Sequence, residues 1–207
     1  MTSNAVNLYP RFNKDFRTLL LNLDPISVNY IRGLLPTTYY IFDNSTMWGW
    51  DCYVTKVKIN KMRNTLDFNF QCPVMDFQAK KYELLGKIAN TYVEGEGIFN
   101  VHCENYIFRM KTYYERRLRA NNIYLTIKKY YFDIDDELSS VTFDITNLAH
   151  TDKRKSDLIH RYMNNKSNQM DAALRSPALY NMLDVVIAAL NNYFDIVPVK
   201  NLFPELA

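Results

Sequence analysis

The chain is 207 residues long, 48% apolar or aromatic and 23% charged, which supplies one packed core and not several, so a single domain over 1–207 is expected. Its 25 Lys and Arg against 22 Asp and Glu leave a net charge of only +3, without the basic excess of nucleic-acid binding, so no nucleic acid partner is expected. Five glycines cannot be assembled into GxGxxG or GxxxxGKS/T, which excludes nucleotide folds of those two types, and no apolar run approaches the roughly 20 residues of a bilayer-spanning helix.

In chain order, Phe12, Phe16, Leu19, Leu20 and Leu23 recur at spacings of three and four and stop at Asp24-Pro25, predicting a short N-terminal helical cap within residues 1–23. From 37 to 146 the period is two, in runs rich in Tyr, Phe, Val, Ile and Thr, the pattern of a long antiparallel meander. Its phase assigns the inward face. Tyr53, Thr55, Val57 and Ile59 lead to Leu66, Phe68, Phe70 and Cys72; Met75, Phe77 and Ala79 follow, Lys80-Lys81 breaks the phase, and Tyr82 and Leu84 resume it. Phe99, Val101 and Cys103 precede a break at Glu104-Asn105, after which Tyr106, Phe108 and Met110 continue, then Leu125, Phe132 and Phe143 on later strands. Repeated phase shifts predict bulges and strongly curved strands. After Leu148 the step returns to three or four through Met170, Leu174, Ala178, Met182, Val186, Ala189 and Tyr193. This predicts a long helix over 154–196, apolar on so much of its surface that sheet must enclose it. Ser176-Pro177 reads as an N-cap followed by a first-turn proline, so the helix is expected to restart or kink there.

Three cysteines and three histidines show no metal spacing, so neither metal nor cofactor is expected. The phase places Cys72 and Cys103 inward and Cys52 outward. A Cys52–Cys72 bridge is disfavoured because it needs a register slip that flips a face; Cys72–Cys103 is the plausible internal bridge, with free thiols at least as well supported. His102 and Cys103 are neighbours on a strand and face apart, which argues against a base–nucleophile pair. With no GxSxG and no acid, base and nucleophile set, an enzyme is not expected. Gly95-x-Gly97 lacks the lysine and helix of a phosphate loop and reads as a tight turn. His150 and His160 fall in a polar stretch and read as solvated. Arg116, Arg117 and Arg119 read as a solvated loop over 115–122, with transient contact to an anionic membrane as the lesser reading. The first residues carry no apolar signal stretch, so the chain is either intracellular or starts after a cleavage site; the sequons at Asn44 and Asn165 mildly favour secretion.

These features meet a family pattern. The series MWGWDCYVTKVKIN, CPVMDF with Pro73, KYELLGKI with Tyr82 and Gly86, and VEGEGIF with Gly95 and Gly97 is preceded by Asp24-Pro25. It is followed by Asn147-Leu148, Asn164-Asn165, Pro177 and a closing LFPE. In order and spacing it resembles the takeout and juvenile hormone-binding protein family of insects. The resemblance implies an α+β fold in which a long C-terminal helix is wrapped by a highly curved antiparallel sheet, similar to one half of the bactericidal permeability-increasing and lipid-transfer proteins. It also implies a secreted carrier without catalysis or cofactor. That carrier would hold a small elongated hydrophobic ligand (juvenile hormone or another terpenoid, a fatty acid, a quinone or a pigment) in an internal apolar tunnel, and would act as a monomer. The alternative is the same fold with a filled core, acting as an interaction protein. Combined with the inward phase, the resemblance nominates Phe68, Phe70, Phe77, Tyr82, Leu84, Phe99, Tyr106, Phe108, Leu125 and Phe143 from the sheet. From the helix it nominates Leu174, Met182, Val186 and Leu190. The chain departs from the family in having no cysteine before Cys52, so no N-terminal cysteine loop closes the pocket, and in reading Asn147-Leu148-Ala149 where many members read Asn-Leu-Phe. The N-terminal helix is the expected gate, with the 115–122 loop as second candidate.

Overall fold

The computed structural model describes residues 9–88, 91–150 and 152–206. Helix α1, Pro10–Leu23, starts with proline at its first turn, where the missing N–H costs nothing, and buries Phe12, Phe16 and Leu20. Seven antiparallel strands follow: β1 (Ile26–Leu35), β2 (Thr38–Trp48), β3 (Tyr53–Asn60), β4 (Thr65–Ile88), β5 (Thr91–Arg119), β6 (Asn122–Ile134) and β7 (Ser140–Ile145). Helices α2, Lys153–Asn165, and α3, Ser167–Ile196, complete the chain with two short 3-10 turns. This is the α+β architecture expected from the sequence, a long C-terminal helix held in a curved antiparallel sheet.

Two very long strands organise the sheet. β4 and β5, 24 and 29 residues, exceed the usual strand several-fold, so each serves two neighbours. β4 pairs β3 along its first half and β2 along its second, while β5 pairs β7 near its start and β6 near its end. Curvature accompanies three phase breaks. At Pro73, opposite Asn105 with φ +52°, the inward positions switch from Phe70 and Cys72 to Met75 and Phe77 on β4, and from Phe99 and Cys103 to Tyr106 and Phe108 on β5. The register then shifts between Ala79 and Tyr82, where the lysine pair broke the pattern, and again at Tyr113/Tyr114 opposite Lys128.

Gly49 turns β2 toward β3 at φ +88°, and a side chain there would meet the Val74 carbonyl at 2.2 Å, so the chain can pass that close only with glycine. Along the concave face α3 buries eleven side chains, from Met170 to Phe194. By length and hydropathy α3 would also suit a bilayer crossing; here the sheet covers one side of it. α1 closes one end, where Phe12 and Phe16 stack among Phe68, Phe70, Phe194 and Phe203 at ring separations of 5.1 to 6.3 Å.

Several expectations are corrected. Cys52 and Cys72 form a disulfide and Cys103 is free and buried. The face assignment of β3 failed because Thr55 is an extra residue: Val54 pairs Phe70 and Lys56 pairs Asn69. Val57 is inward as expected, but before the bulge the phase is reversed, so Val54 and Cys52 are inward, Tyr53 is exposed, and Cys52 lies across from Cys72. The sheet begins at Ile26, not near 37; β1 pairs only with β2, and its inward residues, Ile26, Ile31 and Gly33, change phase midway and hide the period. The 154–196 helix is two helices broken at Lys166, and Pro177 lies inside α3. Tyr40 donates to the Leu174 carbonyl at 2.5 Å within the turn the proline loosens. Residues 115–122 are not a loop but the end of the β5–β6 hairpin, turning on Ala120 and Asn121 at φ +47° and +59°. Both faces are wet there, which removes the alternation, and Arg119 lies over the Tyr124 ring. His160 is half-buried rather than solvated.

Candidate functional site

An apolar cavity of about 50 Å³ lies between the N-terminal half of α3 and strands β2, β4, β5 and β7. Its apolar lining is Phe42, Met47, Met75, Phe77, Phe99, Val101, Phe143, Leu174, Ala178 and Leu179, completed by Asp76, Cys103, Tyr106, Asp171 and Arg175. The rings pack on one another: Phe42 lies 4.7 Å from Phe99 and 5.5 Å from Phe77, and Phe99 6.1 Å from Phe143. Larger depressions exist: that of about 630 Å³ among Glu96, Asn147, His150 and Lys153 is open and polar, which suits solvent rather than an apolar ligand, and one of about 240 Å³ with Trp48, Val101 and His102 in its wall lies outside the helix–sheet space.

One wall of the cavity is charged. Asp171, on the first turns of α3, is buried, and its Oδ2 accepts from the Tyr106 hydroxyl at 2.8 Å and from Arg175 Nη1 at 2.9 Å. The same Arg175 reaches Asp136 in the β6–β7 connection at 2.6 and 3.4 Å. Burial raises the Asp171 carboxyl above the ordinary 3.8, while Arg175 and Tyr106 act to hold it down. Burial works against the Arg175 charge, yet the bonds to Asp136 and Asp171 outweigh it and raise that group. Burial first, and then the Asp171 charge, raise the Tyr106 hydroxyl far above its usual value. The Cys103 thiol is likewise pushed up, mainly by burial, so it stays protonated and is a poor nucleophile. His102 points out of the sheet, with Nδ1 2.7 Å from Asp76 and Nε2 3.7 Å from Glu104. Among the described residues no three His, Cys, Asp or Glu side chains gather to hold a metal.

All fourteen residues nominated from the sequence are buried. Phe77, Phe99, Tyr106, Phe143 and Leu174 line the cavity; Phe68, Phe70, Tyr82, Leu84, Phe108, Leu125, Met182, Val186 and Leu190 do not. Phe68, Phe70 and Phe108 belong to the aromatic cluster under α1, and Tyr82 donates to the Thr146 carbonyl at 2.5 Å. No α1 residue lines the cavity, because α1 packs at the other end of α3; the expected gate does not cover it. The alternation of β2 could have pointed to Phe42, and the four-residue spacing of Asp171 and Arg175 on a helical face to the ion pair. Nothing in the sequence brings Asp136 to them.

The model of the family described as "Haemolymph juvenile hormone binding protein (JHBP)" matches residues 2–204. Among solved structures, Takeout 1 of Epiphyas postvittana is similar with a TM-score of 0.81 at 17% identity, over 94% of each chain. A lipopolysaccharide binding protein is similar with a TM-score of 0.39 at 10% identity, over 91% of this chain and 37% of that one. No curated protein sequence matches. The likeness to Takeout 1 bears out the fold, and the match over almost the whole length shows that this chain belongs to the haemolymph juvenile hormone binding protein family.

Proposed function

We propose that this protein is an extracellular carrier of a small elongated hydrophobic molecule, juvenile hormone or another terpenoid, a fatty acid, a quinone or a pigment, bound along α3 without catalysis or cofactor. The observation that carries this reading is the apolar cavity between α3 and the sheet in a chain of this family. Affinity would come from burying apolar ligand surface, at about 25 cal/mol per Å². A site for a whole ligand commonly needs roughly 300 Å³ or more, so the cavity must widen on binding. Met47 and Met75 in its wall have the flexible, polarizable side chains that permit this. The Cys52–Cys72 disulfide supports an oxidising, extracellular setting. Release to a membrane would be by transient contact, and the protein would act as a monomer.

The small cavity volume also favours a second reading, a filled core in a protein acting through its surface. Titration with the fluorescent apolar probe N-phenyl-1-naphthylamine separates the two. A carrier takes up the probe in a one-to-one complex, and Ala178→Phe, which fills the cavity, abolishes uptake while the protein remains folded. Absence of uptake by the wild-type protein leaves the second reading.

A further inference from the structure

We propose that the charged wall of the cavity is a headgroup subsite that accepts a hydrogen bond from a ligand hydroxyl, and that it selects alcohols over carboxylates. This rests on the carrier reading and narrows its ligand class.

The subsite is built from three elements. Tyr106 comes from β5, Asp171 and Arg175 from α3, and Asp136 from the connection before β7. Tyr106 is 3% exposed, and the Asp171 and Arg175 side chains 8% and 11%. Asp171 Oδ2 takes both the Tyr106 hydroxyl and Arg175, whereas its Oδ1 has no protein partner among the described residues. An ionised carboxylate is an acceptor only, so an Oδ1 that keeps accessible surface on a cavity-lining residue offers a place for a donor from the ligand. Tyr106 cannot supply a second bond, because its one proton is committed to Oδ2.

The local charge sum points the same way. Two carboxylates, Asp171 and Asp136, surround one guanidinium, whose Nη1 is shared between them. The wall therefore keeps a formal excess of one negative charge, which Asp136, its side chain 43% exposed, shares with solvent, while Asp171 at 8% is screened far less. A ligand carboxylate brought against Asp171 Oδ1 is repelled. A neutral hydroxyl donates to Asp171 Oδ1 and keeps its apolar body against Phe77, Phe99 and Phe143. An ester can only accept, so it gains nothing from Oδ1.

The test uses displacement of N-phenyl-1-naphthylamine from the wild-type protein by cetyl alcohol, palmitic acid and methyl palmitate, at about pH 8, where a free carboxylic acid is ionised. The alcohol is expected to bind about tenfold more tightly than either competitor, the scale of one hydrogen bond to a charged group. Asp171→Asn, which removes the charge at constant size, is expected to bring the alcohol-to-acid ratio close to one. A role of Asp171 in folding alone would lower all three affinities together and leave the ratio intact. Equal binding of alcohol and acid by the wild-type protein overturns the proposal while leaving the carrier reading in place. Equal binding of ester and alcohol overturns the donor requirement, and failure of all three to displace a bound probe overturns the subsite. Failure of the probe to bind removes the carrier reading and the subsite with it. If Asp171→Asn does not fold, the wild-type series still decides.

Discussion

His102 and Asp171 show how the same residue class acquires different roles by facing opposite sides of one sheet. His102, half-exposed on the convex face, is held above the ordinary 6.5 chiefly by its bond to Asp76. A histidine raised in the folded state binds protons more readily there than in the unfolded chain. Its small contribution to stability is therefore complete below about 6.5 and is lost as pH rises through the higher folded value. In a proton NMR titration the His102 midpoint is expected above 6.5 and should return toward it in Asp76→Asn; an unchanged midpoint would contradict the pairing. Asp171, on the concave side, has little solvent to share its charge, so it draws on Arg175 and Tyr106. The sequence shows an Asp and an Arg four apart. It does not show that both are enclosed.

At the scale of elements, the β3–β4 hairpin is where phase arithmetic and structure part. One extra residue, Thr55, shifts Val54 and Cys52 to the inward face and brings Cys52 opposite Cys72, with a Cα separation of 4.1 Å. The bridge closes a loop between residues 20 apart, for which chain-entropy reasoning gives about 3 kcal/mol. A stabilising bridge is thus expected where free thiols would have contributed nothing of the kind. Urea unfolding of the paired Cys52→Ser, Cys72→Ser variant is expected to show that loss against the oxidised wild type. An unchanged midpoint would mean that the hairpin's register is secured by side-chain packing alone. β4 and β5 follow the same rule: their bends are visible in sequence as broken alternation, but which residue is the extra one is not.

Across the whole molecule, α3 divides into two environments. Around its C-terminal half, Phe12, Phe16, Phe68, Phe194 and Phe203 make a solid aromatic core with α1. Around its N-terminal half lies the cavity with its charged wall. α1 therefore packs as part of the core, away from the cavity. Phe12→Ala is expected to lower unfolding free energy by roughly 3–5 kcal/mol, the cost of emptying a packed aromatic site, while leaving release of a bound apolar probe from the folded protein at its original rate. Faster release with little loss of stability would restore α1 as the gate.

Hydrophobic period placed most strands and the long helix, because helix and strand phase are local properties that survive without knowledge of partners, and the ordered series from Asp24-Pro25 to LFPE, through the family it resembles, supplied their arrangement. The inward sense of Phe77, Phe99, Tyr106, Phe143 and Leu174 was legible for the same reason. Only the tertiary structure decided which buried residues surround empty space and which fill it, since Phe68 and Phe77 have the same pattern but only Phe68 meets α1. It also decided the disulfide, through a single bulge, and the charged wall, through a contact between Asp136 and Arg175, 39 residues apart. Pairings of that kind depend on how the sheet closes over the helix, which no local spacing encodes.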